Sequence, residues 1–224
     1  MSSAESAPVI TVDGPSGSGK GTVALAVARS LGWNFLDSGA LYRVVGLLSL
    51  RQPTISPADL ARDVDLHFEQ AADGTPQVWL GDEDVSMAIR SEAVSQAASK
   101  VAADPEVRRA LVQAQRDFRQ APGLVADGRD MGTVIFSDAE LKIFLTASVE
   151  ERARRRHKQL IGKGESANLG DLLRDIGDRD RRDRERSAAP LRPADDALMI
   201  DSTALDVPTV VQQILSQRAL VATD

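Results

Sequence analysis

None of the 224 residues is a cysteine. Disulfide scaffolding, thiolate metal sites and thiol nucleophiles are therefore excluded. Aromatic residues make up only 4% of the chain, too few for the stacking platforms that hold single-stranded nucleic acid. A basic excess is also missing. The formal net charge is −6, which disfavours nucleic acid or an anionic membrane surface as a partner. No apolar run approaches the length that spans a bilayer. The N-terminal MSSAESAP has neither a basic start nor a long apolar stretch, so no secretory signal is visible. The expectation is a soluble, cytoplasmic protein. Any anion site in it must be a local cluster of Arg or Lys against an acidic background.

The first positive signal is ITVDGPSGSGKGT, residues 10–22. Glycines let a backbone curl so that several N–H groups face one anion. A helix starting near Lys20 adds its positive end. Lys20 adds a full charge that can bridge the β- and γ-phosphates of ATP. A Gly/Ser run alone reads equally well as a flexible loop, but the context here is specific. PVITV (8–12) fits a buried parallel strand. Val23, Ala24, Val27, Ala28 and Leu31 then recur at helical spacing until Gly32. Gly14, Pro15, Ser16, Gly17, Ser18, Gly19, Lys20, Gly21 and Thr22 are accordingly the candidate ATP-phosphate residues.

One position departs from the usual motif. Ser or Thr normally follows the lysine and its hydroxyl holds Mg²⁺; here Gly21 follows, and Thr22 comes after it. This GKGT form resembles the nucleoside monophosphate kinases. A glycine there would leave room for two polyphosphates to approach end to end. Mg²⁺ would then be held by carboxylates through water. Asp13 and Asp127, at the ends of expected strands, are the candidates, with ordinary turn residues as the plain alternative.

The pattern along the chain predicts an α/β fold: a P-loop kinase core with a parallel sheet flanked by helices, over 8–61 and 91–220. NFLD (34–37), GLVADGRD (123–130), LKIFLTA (141–147) and ALMID (197–201) read as its further strands. Helices are expected over 91–120 with a break near Asp104-Pro105, then at 148–162, 169–186 and 207–220. Between 62 and 90, Val64, Leu66 and Phe68 alternate with polar residues, ADGTP (72–76) supplies a turn and QVWL (77–80) resumes. That predicts an inserted small antiparallel sheet, a nucleotide-binding subdomain. A short lid is expected at about 157–170, around GKGES, and tails at 1–7 and 221–224.

Three stretches suggest a second site. DSGALYR (37–43) can open a helix with Arg43 one turn in; a cap and a surface arginine are the alternative. ADGRDMG (126–132) follows a buried strand, where open α/β sheets place ligands. In DRDRRDRERS (178–187), helical phase puts Arg179, Arg182, Asp183 and Arg186 on one face. Asp178, Asp180, Arg181, Arg184 and Glu185 fall largely elsewhere. Three arginines around one carboxylate suit a polyphosphate and a hydroxyl, although charge runs on helices are often only solvated.

Taken with the loop, DSGALYR, DGRDMGTVIF, DRxRRDRxRS and APLxPADDALMIDST resemble the bacterial cytidylate kinase family, from about Pro8 to Val211. The resemblance implies ATP-dependent phosphorylation of CMP and dCMP by direct in-line transfer, with Mg²⁺, in a monomer. It places Ser38, Arg43 and Arg129 around the acceptor phosphate, and Ser99, Arg108 and Asp130 at the cytosine ring. It places Arg179 and Asp183 near the sugar, and Arg186 on phosphate. Lys20, Arg129 and Arg186 would carry the charge stabilisation of transfer. Cytosine chemistry fits: its N4 amine donates, as to Asp130, while N3 and O2 accept, as from Arg108 and Ser99. Uracil reverses two of those edges, which discriminates by on the order of 10⁴-fold at best. The acceptor phosphate is already ionised, so no general base is needed; His67 and His157 are isolated.

A kinase for another nucleoside monophosphate is the near alternative. A switch GTPase would need NKxD, and Asn168-Leu169-Gly170-Asp171 lacks the lysine. A shikimate-type kinase would carry GKS or GKT and a base for its alcohol.

Overall fold

In a computed structural model, the structure describes residues 7–70, 76–162, 164 and 166–221. The expected turn at 72–75, Lys163 and Glu165 of the expected lid, and most of both tails lie outside them. The chain divides into two compact units, one of 1–36 with 116–224 and one of 37–115.

In the first unit the phosphate-loop strand takes the central place that its sequence demands. β1 (Val9–Asp13) is buried at every position, as suits a β-branched run covered on both faces. It pairs in parallel with β6 (Leu124–Gly128) and β7 (Leu141–Thr146), and β7 with β8 (Leu198–Asp201). β2 (Asn34–Asp37) lies beyond β6, so the order is β2-β6-β1-β7-β8. β1 therefore sits where the chain leaves in one direction and returns in the other, and the crevice at its carboxyl end is the place for a ligand. α1 (Lys20–Leu31) turns Val23, Ala24, Val27 and Ala28 into a core with Ile10, Val12, Ile143 and Leu145. Gly32 ends it in left-handed geometry. α6 (Val149–Gly162), α7 (Leu169–Glu185) and α8 (Val207–Val221) complete the unit; α8 runs one residue past its expected end.

The second unit is built on α2 (Ser38–Arg51) and α4 (Glu92–Val101), which approach closely. A Cβ at Gly46 would lie 2.7 Å from the Ala98 nitrogen. α3 (Pro57–Arg62) precedes a three-stranded antiparallel sheet of β3 (Leu66–Gln70), β4 (Pro76–Leu80) and β5 (Glu83–Asp84). α5 (Pro105–Arg116) follows α4 after the expected break. Val44, Leu47, Leu60, Val78, Ile89 and Val94 share its core.

Several elements were not expected, among them the two-residue β5 and a 3₁₀ turn at Ala88–Arg90. α3 has no usable periodicity in its 6 residues; Ser56 makes it by accepting the Asp59 N–H, with Pro57 at its first position. A π-helical turn at Met131–Ile135 follows β6, and its cause lies in β1.

Candidate active site

The loop after β1 is locked by contacts that no side chain could share. Gly14 has φ +153°, and a Cβ there would lie 2.0 Å from the Leu145 carbonyl oxygen. Lys20 Nζ reaches back to donate to the Pro15 carbonyl at 3.3 Å and lies 3.9 Å from Asp127 Oδ1. Two further loop carbonyls are held from outside. The Ser16 carbonyl accepts from Arg152 Nη1 at 3.0 Å, and that of Ser18 from Arg155 Nη1 and Ser202 Oγ, each at 3.1 Å. Thr22 is exposed at the start of α1.

Gly21 now has a direct reason. A Cβ there would lie 2.9 Å from Asp127 Oδ2, closer than carbon and oxygen tolerate. The glycine makes room for a buried carboxylate beside Lys20.

Asp13 and Asp127 are both buried at adjacent strand ends, where Asp13 aligns with Gly128. Their surroundings differ. Both Asp13 oxygens already accept backbone N–H bonds, from Met131 at 2.9 Å and Gly132 at 2.8 Å. This fixes the π-helical turn. Burial pushes the Asp13 carboxyl up to about 7 against those two bonds, with Asp130 and Asp127 adding to the rise. Asp13 is thus an anchor of the turn, and Asp127 is the carboxylate beside the loop. Among the described residues no three His, Asp or Glu side chains form a metal cluster.

Past β6, Arg129 Nε donates to Asp183 Oδ2 at 3.0 Å, and Arg186 Nη2 lies 3.8 Å from Asp130 Oδ1. Burial raises the Asp183 carboxyl, but Arg129, then Arg179 and Arg186, outweigh it and hold it below the usual carboxylate range. The first unit thus gathers Arg129, Asp130, Arg179, Asp183 and Arg186 around the ends of β6 and α7.

The helical phase of 178–187 needs correction. Arg182 is exposed and donates to the Asp178 carbonyl at 3.4 Å. Asp180, assigned to the outer faces, is among the most buried groups and pairs with Arg152 at 2.6 Å. Arg186 lies beyond the last turn, with ψ 139°, so helical phase does not govern it. Asp180 and Ser202 were missed as site-building residues, whereas Arg152 and Arg155 belong to a set, with Arg154 and Arg156, in which the sequence suggests one arginine reaching ATP or else a solvated basic face. The structure sets two of them, Arg152 and Arg155, against loop carbonyls, and only their spacing of three in ERARRR hints that two arginines face one neighbour.

The second unit holds the other candidates. Ser38 is buried at the start of α2, which Asp37 caps by accepting the Ala40 N–H at 3.0 Å. Arg43 Nη2 donates to Asp37 Oδ2 at 2.6 Å, while its Nε is buried without a hydrogen-bond partner. Arg108 is buried over the Tyr42 ring, 5.5 Å from its centre, and Nη1 donates to the Ala102 carbonyl at 3.2 Å. Ser99 Oγ is buried without a partner. A buried hydroxyl left so is costly unless a ligand completes it. The expected base readers are thus divided: Asp130 belongs to the first unit, Ser99 and Arg108 to the second.

Comparison with known proteins extends this picture. The family model described as "Cytidylate kinase" matches residues 10–219. A protein of that name from Stutzerimonas stutzeri is 56% identical over 218 residues, covering 95% of each chain. Its namesake from Pseudomonas entomophila is 56% identical over 221 residues, covering 96% of each. That from Cupriavidus pinatubonensis is 56% identical over 218 residues, with 95% of this chain and 96% of its own covered.

Proposed function

The chain belongs to the cytidylate kinase family, and on that premise we propose that it transfers the γ-phosphoryl group of ATP to the phosphate of CMP and dCMP. One observation carries the reading: the match spans residues 10–219, and so takes in the phosphate loop together with every candidate at the acceptor. The reaction is ATP + CMP → ADP + CDP. An acceptor phosphate oxygen bonds the γ-phosphorus as the bond to the β,γ-bridging oxygen breaks. The attacking oxygen is already ionised, so the residues need only position and neutralise.

Gly14 to Thr22 surround the ATP phosphates, with Lys20 as the loop's full positive charge. Ser38, Arg43 and Arg129 take the acceptor phosphate, and Arg186 supplies a further guanidinium to it. Asp183 directs Arg129 through a hydrogen bond, and the Asp130 carboxylate lies 3.8 Å from Arg186 Nη2. Asp130, Arg108 and Ser99 read cytosine; Arg179 and Asp183 lie at the sugar. Mg²⁺, when bound, neutralises β- and γ-phosphate charge. Asp127, beside Lys20 and Gly21, is the carboxylate suited to hold its water shell, while Asp13 stands behind as anchor. The same reading makes the chain a cytoplasmic monomer; it has no cysteine, and no helix among the described residues is long and apolar enough to cross a membrane.

The test is ADP formation from MgATP with CMP, dCMP, UMP, AMP, shikimate or no acceptor. Turnover with CMP and dCMP should far exceed the rest. Turnover with another acceptor alone would overturn the base readers and keep the loop. Lys20→Ala should lower turnover by about 10²-fold or more with the circular dichroism unchanged; near-normal turnover would remove Lys20 from the mechanism.

A further inference from the structure

We propose that Arg152 is a positioning residue for the phosphate loop, clamped in that task by Asp180. The proposal rests on reading the loop as an ATP site. In a trans peptide the C=O and N–H point to opposite sides. A loop that turns N–H groups toward an anion therefore turns carbonyls away from it, and buried carbonyls require donors. The Ser16 carbonyl, which shares its peptide with the Gly17 N–H, receives one from Arg152 Nη1 at 3.0 Å. Holding that oxygen fixes where the Gly17 N–H points.

Arg152 is only 2% exposed. Its fork is used on every side. Nε donates to the Ala147 carbonyl at 2.9 Å, and Nη1 and Nη2 donate to the two Asp180 oxygens at 3.0 and 2.6 Å. A lysine ammonium cannot make that planar set. Asp180 stands three residues before Asp183 on α7, and Asp183 holds Arg129. One helix thus supports the outer side of the donor loop and the arginine assigned to the acceptor phosphate.

Stability alone is a poor reason for such a pair. Desolvation of a buried ion pair largely cancels its attraction, and apolar replacements of similar size are often neutral or better. An apolar pair cannot hold the Ser16 carbonyl, and this separates the two roles.

The experiment compares the full chain with Arg152→Met, Arg152→Lys and the double variant Arg152→Met/Asp180→Leu. Each is melted thermally, titrated calorimetrically with MgATP without acceptor, and assayed for KM of ATP and kcat. Arg152→Met alone should melt earliest, because it leaves Asp180 buried and unpaired. The double variant should recover most of the melting temperature yet bind MgATP at least about tenfold more weakly. Arg152→Lys should fall between the wild type and the double variant in affinity. Wild-type affinity in a double variant that melts like wild type would overturn the proposal and leave the pair a packing element. Should the double variant not fold, Arg152→Lys decides: weakened binding in a folded chain supports positioning, and unchanged binding refutes it. Because the titration contains no acceptor, a chain that binds MgATP but does not phosphorylate CMP would sink the proposed function and leave this proposal standing. A wild-type chain that binds no MgATP would sink both.

Discussion

At the residue scale, Gly21 and Asp127 explain one another. The motif was legible, but the reason for its glycine was not, because Asp127 sits in a strand remote in sequence. Gly21→Ala should press a methyl group into the carboxylate and lower kcat/KM for ATP about tenfold; steady-state kinetics at saturating CMP would show it. A wild-type value would remove the Asp127 contact as the reason for glycine. Asp13 offers a pH test. Its carboxyl rises from 3.8 to about 7 in the fold, so between those values the folded chain keeps a proton that the unfolded chain has lost. Its contribution to stability is complete below about pH 4 and lost as pH climbs through about 7. Asn cannot titrate. The stability of the wild type minus that of Asp13→Asn should therefore fall by about 4 kcal/mol as an upper figure, read from urea melts from acid to neutral pH. A flat difference would show an ordinary carboxyl.

At the element scale, long helices and buried strands were legible because apolar spacing alone defines them. The short α3 and the π-helical turn were not, since Ser56 with Pro57 and Asp13 make them by single contacts. α7 was found but its buried face was misjudged. Phase says which residues share a face; only the neighbouring α6, through Arg152, decides that Asp180 is buried while Arg182 stays in solvent. Arg182→Ala should accordingly leave kcat/KM within about twofold of wild type and stability within about 0.5 kcal/mol; a tenfold kinetic loss would return Arg182 to the site. The α2–α4 contact is the opposite case. A methyl group at Gly46 meets backbone that cannot rotate away. Gly46→Ala should destabilise by about 1–3 kcal/mol, lowering the calorimetric Tm by about 2–4 °C for each kcal/mol; an unchanged Tm would mean the helices part freely.

For the whole molecule, ligand and fold are linked. MgATP at about a hundred times its Kd should add about 2.7 kcal/mol to the unit that holds the loop, and so raise its Tm by about 5–10 °C. Lys20→Ala should lose most of that rise; if it keeps it, the nucleotide is bound elsewhere. The distribution of the candidate residues over two units was the least legible feature. Ser99, Arg108 and Asp130 could be named from the resemblance, but no spacing showed that 37–115 forms a unit of its own. The order of the strands has a consequence for how the chain is made. β1 leaves the ribosome first yet stands in the middle of the sheet, and both of its neighbours come from the later half of the chain. The unit of 37–115 is continuous and can close while synthesis proceeds. The apolar VITV segment must wait on the order of ten seconds for its partners. During that interval the strand that later carries the phosphate loop has apolar faces but neither of its sheet neighbours.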